Sequence, residues 1–433
     1  MSTLRGTLQV PGDKSISHRA LIFAALSRGE SKIYGLSPAF DCISSADCLS
    51  QLGLEFEKRS AADNGKREAA LIVRSPGLYS LKAPQTTLFT GNSGTSIRLI
   101  AGLVAGRNFQ CSFDGDDSLR RRPMARVLNL LSQMGAEVRY LEAPNYPPFS
   151  LKGAKLEGKS FKLEQASAQV QTAVILAGLQ ADGITKVTLP KPARDHTARM
   201  FKYLGLKMLI QNDLELAVKR LEEPLAPFSL EIPADISSAA FFMVAAAILP
   251  GSEILLRKVS INPGRDLVLK VLLELGADIE VLKTAELCNE PVADILVKGG
   301  ILSGKSIIDS ERLASGIDEI PILALAAAAG HAELLVKDAD ELRVKESDRL
   351  SAIINNLLSA GAKITENENG FSVKGEGRLQ GASKWLCYED HRMAMTGLIA
   401  NLCAKNTINV DNEACVAVSY PEFLQDLERL VKS

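Results

Sequence analysis

A helix-length apolar segment that opens on small polar residues occurs six times in this chain, and no other feature limits the possible folds so strongly. The copies are "KSISHRALIFAAL" from Lys14, "NSGTSIRLIAGLVAG" from Asn92, "SAQVQTAVILAGL" from Ser167, "DISSAAFFMVAAAIL" from Asp235, "DEIPILALAAAAG" from Asp318 and "DHRMAMTGLIANLCA" from Asp390, at intervals of 68 to 83 residues. Such a period marks an architecture built by repetition. Each segment is apolar all round, so each helix has to be sheathed by strands and by its fellows.

A second signature alternates with the first. "LGLEFE" at Leu52, "MGAEVRYL" at Met134, "LGLKMLI" at Leu204, "LGADIEVL" at Leu275 and "AGAKITE" at Ala360 each read as a helix end, a left-handed Gly cap and a short strand. Before Gly135, the residues Met124, Val127, Leu128, Leu131 and Met134 share one helical face; Leu350, Ile353, Ile354 and Leu357 do the same before Gly361. The two signatures together predict an α/β chain of six βαβαββ-like units. At 433 residues the chain exceeds what one core serves, so two domains of three units each are expected. Parallel packing of the buried helices would bring their N-termini to one end of each domain, and two such ends facing each other would enclose a cleft.

Composition excludes several function classes. The chain is 46% hydrophobic and 23% charged with a net charge of −1, which points to globular cores and to neither nucleic acid nor a membrane surface. The longest apolar run, Ala239 to Pro250, is too short to span a bilayer. "MSTLRGTLQVPG" has no signal-peptide pattern, so the expected location is the cytoplasm. Seven scattered cysteines without a CxxC pair, and four histidines apart from them, fit a reducing compartment and no protein-held transition metal.

Helix N-termini carry unpaired N–H groups and partial positive charge, and therefore attract anions. Here the openings are lined by Ser15, Ser17, Ser93, Thr95, Ser96 and Ser167, with Lys14, Arg19, Arg98, Arg122, Lys345, Arg349 and Arg392 around them. Any one opening reads equally as an N-cap with a solvated neighbour; six together favour a small, multiply anionic ligand. "LRVKESDRL" (342–350) reads as a helical turn with Lys345 and Arg349 on one face. "SGIDEIP" (315–321) sets Asp318 before an apolar helix, where it is either an N-cap or a functional carboxylate. "YEDHRMAM" (388–395) gathers Asp390, His391 and Arg392, and "GNSGTSIR" (91–98) is a Gly-rich turn suited to backbone contact with phosphate or carboxylate. "GDKS" is no Walker A loop, because Asp13 stands where Gly is needed, and no GxGxxG follows a strand. Asp318 and Glu346 among these cations are candidates for proton transfer.

"PGDKSISHRALIFAAL", "GNSGTSIRL", "RRPM", "ASAQVQTA", "RDHT", "VKESDRL", "EDHRMAM" and "SYPEF", in this order from residue 11 to residue 423, resemble the 5-enolpyruvylshikimate-3-phosphate synthase (3-phosphoshikimate 1-carboxyvinyltransferase) family. The resemblance implies a two-domain inside-out α/β barrel of the enolpyruvyl transferase type, with six repeats, three per domain. One domain would comprise residues 1–13 and 235–433, the other residues 14–234, with the active site in the cleft between them. The implied reaction moves the enolpyruvyl group of phosphoenolpyruvate to the 5-hydroxyl of shikimate 3-phosphate through a tetrahedral intermediate, releasing phosphate. No cofactor and no metal are implied. A cytoplasmic monomer without nucleic-acid or membrane partners is implied, with glyphosate as a competitor of phosphoenolpyruvate.

The same resemblance distributes roles. Shikimate 3-phosphate would be held by Lys14, Ser15, Arg19, Ser167, Ala168 through its backbone, Gln169, Arg194, Asp318 and Lys345. Phosphoenolpyruvate would be held by Lys14, Gly94, Arg122, Gln169, Arg349 and Arg392, with Asn92 and His391 as further neighbours. Lys14 would touch both reacting groups, Asp318 would be the base on the 5-hydroxyl with Lys345 beside it, and Glu346 the acid/base at the methylene carbon. Two departures stand out: Val418 occupies a position where many members carry lysine, and Arg194 stands where some have Ser and Tyr. Arg265 in "PGRDL" is read as structural, and His18 receives no role. One rival is UDP-N-acetylglucosamine enolpyruvyl transferase, which needs a reactive cysteine where Cys111 is the only one at hand. The other is a non-catalytic phosphometabolite binder, which would have no use for Asp318 and Glu346.

Overall fold

The six apolar segments form helices α1 (Lys14–Ala24), α2 (Gly94–Val104), α3 (Ala168–Gly178), α4 (Ile236–Ile248), α5 (Ile320–Ala329) and α6 (His391–Cys403). The structure, a computed structural model, describes residues 2–60 and 70–432. Every residue of α4 and α5 is buried, as all-round apolarity requires. Five helices start on a side-chain cap: Asp13, Ser93, Ser167, Asp235 and Asp390 each accept from a backbone N–H in the first turn. α5 has Pro321 in its first turn instead, where the missing N–H leaves no bond unmade.

The chain divides into two compact units, one of Met1–Pro11, Pro233–Glu286 and Pro291–Ser433, the other of Gly12–Ile232 and Leu287–Glu290. The expected boundaries at 13/14 and 234/235 lie two residues beyond this division, and the hairpin turn Leu287–Glu290 was not foreseen in the second unit.

In the second unit one strand pairing occurs three times. Arg28–Tyr34 runs parallel to Ser229–Glu231 and antiparallel to Ala70–Pro76, which carries Glu55–Arg59 antiparallel on its other side. Leu88–Phe89, Gln110–Asp114, Phe149–Lys152 and Glu137–Tyr140 repeat that order, as do Ser160–Lys162, Ile184–Thr188, Glu215–Lys219 and Ile210–Gln211. In the first unit, Thr3–Leu8, Glu253–Ser260, Glu290–Lys298 and Asp278–Leu287 lie in the corresponding order. Lys305–Ile308, Glu333–Val336, Gly370–Lys374 and Lys363–Asn367 follow it again, and Ala382–Trp385 with Ile408–Val410 keeps only the parallel pair.

The buried helices pack on one another inside each unit: α2 against α1 and α3, and α4, α5 and α6 mutually. Their N-termini gather at one place in each. In the second unit Gln169 Nε2 on α3 donates to Thr95 Oγ1 on α2 at 2.9 Å, and Arg19 Nη2 on α1 donates to Thr172 Oγ1 on α3 at 3.2 Å. In the first unit Ser237 of α4 hydrogen-bonds Glu319 ahead of α5, and Arg392 Nη1 of α6 donates to the Asp318 carbonyl at 3.3 Å.

The amphipathic helices behave as their spacing predicts. Met124, Val127, Leu128, Leu131 and Met134 are buried, as are Leu350, Ile353, Ile354 and Leu357. Gly53, Gly135, Gly205, Gly276 and Gly361 all have positive φ at the helix ends, where a Cβ would be strained. After Gly205 the strand is confined to Ile210–Gln211, at a sheet edge. Tyr420 and Phe423 of "SYPEF" belong to the core: the rings of Phe242, Tyr420 and Phe423 lie 5.3 to 6.0 Å apart, and burying one such ring contributes about 1.5–3 kcal/mol. Among the described residues no helix is long and apolar enough to cross a membrane.

"LRVKESDRL" departs from expectation. Asp340–Val344 is a 3-10 turn, Lys345 is extended, and the α-helix Arg349–Ser359 begins only where Asp348 accepts from Ser351 N at 3.1 Å. That cap stops the helix from reaching back, so Lys345 and Arg349 do not share a helical face.

α2 packs on α3 tightly at Gly102, where a Cβ would sit 2.2 Å from the Ala173 carbonyl oxygen. Gly102→Ala is expected to lower the denaturant midpoint by about 1–3 kcal/mol of stability, the usual cost of overpacking; an unchanged midpoint would show that the helices separate freely.

Candidate active site

The mouth of the second unit is cationic and tightly braced. Lys14, the first residue of α1, is paired with Asp41 at 2.9 Å. Arg19 is buried one turn on; its Nε donates to Thr197 Oγ1 at 2.8 Å and its Nη1 to the Ser15 carbonyl at 2.9 Å. Thr172 and Thr197 bond each other at 2.6 Å, so the guanidinium is fixed from α3 and from the helix His196–Tyr203. In the Gly-rich turn, Arg122 Nη2 donates to Asn92 Oδ1 at 2.6 Å and to Ser118 Oγ at 3.0 Å, while Asn92 Nδ2 donates to Asp116 at 2.9 Å.

Arg98 Nη1 donates to the Gly94 carbonyl at 3.0 Å and to Gln169 Oε1 at 2.8 Å. Burial, with Arg122 and Arg126 adding repulsion, lowers its pKa to about 10, which leaves it charged at neutral pH. Ser167 caps α3, and Ala168 and Gln169 form that helix's first turn. Arg194 lies half-buried in the loop ahead of His196. The structure thus assembles Lys14, Ser15, Arg19, Asn92, Gly94, Arg122, Ser167, Ala168 and Gln169 around three converging helix starts.

The mouth of the first unit is rich in carboxylates. Arg349 is completely buried and serves three of them: Asp390 Oδ2 at 2.7 Å, Glu346 Oε2 at 2.7 Å and Asp318 Oδ1 at 3.1 Å. Burial opposes the charge on Arg349, but Asp390, Glu346 and Asp318 outweigh it and raise its pKa above the ordinary arginine value. Burial likewise pushes Asp390 up, and Arg349 overrides it to hold that carboxyl below its usual range. Asp318 therefore points to Arg349 and does not cap α5. Arg392 Nε stands 3.9 Å from Asp318 Oδ1, and its Nη1 3.8 Å from Glu319 Oε1. His391 is buried beside it.

Lys345 is the exception. It pairs with Glu341 at 3.2 Å, four residues back in the chain. Val418 closes a 3-10 turn, half-buried. Cys111 is buried in its strand with its pKa pushed up to about 12, by burial and then by Cys48, so it is no reactive thiolate.

Reading the sequence missed several partners. Asp41 lies in the first turn of the helix Phe40–Gln51 and carries no motif; only its contact with Lys14 reveals it. Thr197 stood within the "RDHT" match, yet its bond to Arg19 depends on packing between helices far apart in the chain. His18 is likewise explained only by the structure. Its Nδ1 meets Ser45 Oγ at 2.8 Å, and Ser45, Ser96 and Ser93 continue the chain at 2.7 and 2.6 Å.

One unit thus carries a cationic mouth and the other a carboxylate-rich one, each at converging helix N-termini. The chain belongs to the EPSP synthase (3-phosphoshikimate 1-carboxyvinyltransferase) family, whose family model matches residues 1–427. The 3-phosphoshikimate 1-carboxyvinyltransferases of Thermodesulfovibrio yellowstonii and Geobacter sulfurreducens are each 40% identical to it, over 430 and 427 residues. Those matches cover 99% of this chain and 98% and 97% of theirs. The EPSP synthase structure from Acinetobacter baumannii has a TM-score of 0.87 at 34% identity, covering 100% of this chain and 98% of that one. The enolpyruvyl transferase NikO from Streptomyces tendae, at 16% identity, shares the fold with a TM-score of 0.77 over 99% of this chain and 96% of its own. The enolpyruvyl transferase fold class expected from the sequence is borne out.

Burial lowers the His18 pKa from 6.5 to about 4, with Lys14 and Arg19 adding to the shift and Asp41 and Asp13 opposing it. The folded value lies below the unfolded one, so His18 costs no stability above about pH 6.5 and progressively more as pH falls toward 4. The loss amounts to on the order of 3 kcal/mol. Denaturant unfolding across that range should show the acid limb flattened in His18→Gln; an identical limb would mean that His18 does not carry it.

Proposed function

We propose a division of labour within this chain between groups that bind anions and carboxylates that transfer protons. The reaction is that of the family: the enolpyruvyl group of phosphoenolpyruvate passes to the 5-hydroxyl of shikimate 3-phosphate, and phosphate leaves. The carrying observation is the set of three carboxylates on the buried Arg349, beside Arg392.

Arg19, Ser15, Ser167, the Ala168 N–H, Gln169 and Arg194 hold shikimate 3-phosphate, aided by Lys345. The bracing of Arg19 by Thr172 and Thr197 supports this, because a guanidinium held in advance loses little freedom on binding phosphate. Lys14, Gly94, Arg122, Gln169, Arg349 and Arg392 hold phosphoenolpyruvate, with Asn92 orienting Arg122 and His391 adjacent. In the addition step Asp318 takes the proton of the 5-hydroxyl as its oxygen bonds C2 of phosphoenolpyruvate, and Glu346 delivers a proton to C3. In the elimination step Glu346 removes a proton from the methyl carbon as the C2–O bond to phosphate breaks, with Lys14 and the arginines stabilising the departing charge. The enzyme acts in the cytoplasm, a reading supported by its seven cysteines, all free thiols; a monomer is the oligomeric state the family resemblance implies.

Phosphate release from phosphoenolpyruvate should require shikimate 3-phosphate, and its absence with both substrates present would overturn the assignment. Asp318→Asn should lower kcat by about a hundredfold or more, as loss of a general base does, while shikimate 3-phosphate still binds; full turnover would remove Asp318 from the mechanism. Glyphosate competes at the phosphoenolpyruvate subsite. A Cβ on Gly94 would meet Arg98 Nη1 at 2.7 Å and Arg122 Nη1 at 3.7 Å, so Gly94→Ala should raise both the glyphosate Ki and the phosphoenolpyruvate KM. Unchanged values would place neither ligand at that turn.

A further inference from the structure

Behind Asp318 lies a second charged cluster that the reaction as described does not use. The Glu319 carboxylate is fully buried at the start of α5. Its Oε1 takes a hydrogen bond from Ser237 Oγ, and that hydroxyl in turn accepts from Arg265 Nη2. The same Oε1 lies 3.8 Å from Arg265 Nη2 and 3.8 Å from Arg392 Nη1. Glu319 Oε2 has no hydrogen-bond partner among the described residues. Arg265 is itself only 3% exposed and stands 3.6 Å from Asp235 Oδ1.

We infer that Arg265 is a positioning residue for Arg392: it supplies Glu319 with a counter-charge of its own, so that Arg392 stays available to the substrate anion. This rests on Arg392 being a phosphoenolpyruvate contact, as proposed above. A buried carboxylate demands a compensating cation, and two guanidinium groups stand equally near this one. Arg265 is engaged by Ser237, Asp235 and Glu319, whereas Arg392 also touches Asp318, through its carbonyl and its Oδ1. With Arg265 present, Glu319 is served through Ser237 and directly, and Arg392 is held at ion-pair distance from Glu319 without a hydrogen bond to it. Without Arg265, Glu319 has Arg392 as its remaining near cation and pulls it away from the ligand. Arg265 thus governs affinity for the donor substrate from beneath the site.

Steady-state kinetics on the full chain tests this. Arg265→Met should raise the phosphoenolpyruvate KM about ten- to a hundredfold, the equivalent of one charge-assisted hydrogen bond, with a smaller change in kcat and none in the shikimate 3-phosphate KM. Arg265→Lys should recover part of the loss. The discriminating variant is Arg265→Met with Glu319→Gln: removing the buried charge removes the need for its counter-ion, so the phosphoenolpyruvate KM returns toward its original value. A mere packing defect would not be repaired this way. An unchanged KM in Arg265→Met, or a double variant as impaired as the single one, overturns the inference. Should Arg265→Met not fold, the double variant alone decides, a near-original KM supporting the inference and a raised one overturning it. Arg392→Lys separates the two levels: if it leaves the phosphoenolpyruvate KM unchanged, the reading of Arg392 falls, and with it the role given to Arg265.

Discussion

The first unit is organised around one buried guanidinium. Arg349 has no exposed surface and would be intolerable there alone, yet three carboxylates from separate segments surround it. Asp318 comes from the turn before α5, Glu346 from the chain before the helix that Arg349 itself starts, and Asp390 from the cap of α6. A charge of this kind is satisfied only when all its partners arrive together. It therefore ties three segments to one geometry, and the two carboxylates that move protons in the proposed mechanism are held by the same group.

The second unit solves a different problem with the same architecture. Its mouth presents Lys14, Arg19, Arg98 and Arg122, braced mainly by hydroxyls, amides and carbonyls, with Asp41 as a direct ion-pair partner. Neutral bracing leaves most of the positive potential for a ligand, and the helix N-termini add to it. The first unit sets Asp318, Glu346, Asp390, Glu319 and Asp235 against Arg349, Arg392 and Arg265, so acidic groups outnumber cations there. In the proposed mechanism the same repeated framework serves as an anion receptor in one half and as a proton-handling site in the other. The framework itself is neutral to the difference, since the helices are apolar along their length and only the first turn varies.

Much of this was legible beforehand. All-round apolarity identified the buried helices, and helical spacing found the solvent-facing ones, because burial acts on each residue through its own position in a period. The Gly caps at 53, 135, 205, 276 and 361 were readable for the same local reason, since positive φ is a property of one residue. "VKESDRL" was misread where local signals competed: charges at helical spacing lost to the cap made by Asp348. Lys345 pairs with Glu341, and no periodicity argument would have found that.

What the sequence alone determined, then, was the set of parts: six buried helices, their capped and charged openings, the amphipathic helices between them, and a family resemblance along nearly the whole chain. Tertiary structure alone decided which openings meet and which charges pair. Asp41 with Lys14, Thr197 with Arg19, and Arg265 with Glu319 through Ser237 join residues 27 to 178 positions apart, counting the Arg265–Ser237 and Ser237–Glu319 links separately. Apolar burial is non-directional and is written into composition and spacing. Hydrogen bonds and ion pairs act over a few ångströms, and their partners exist only once the helices have packed.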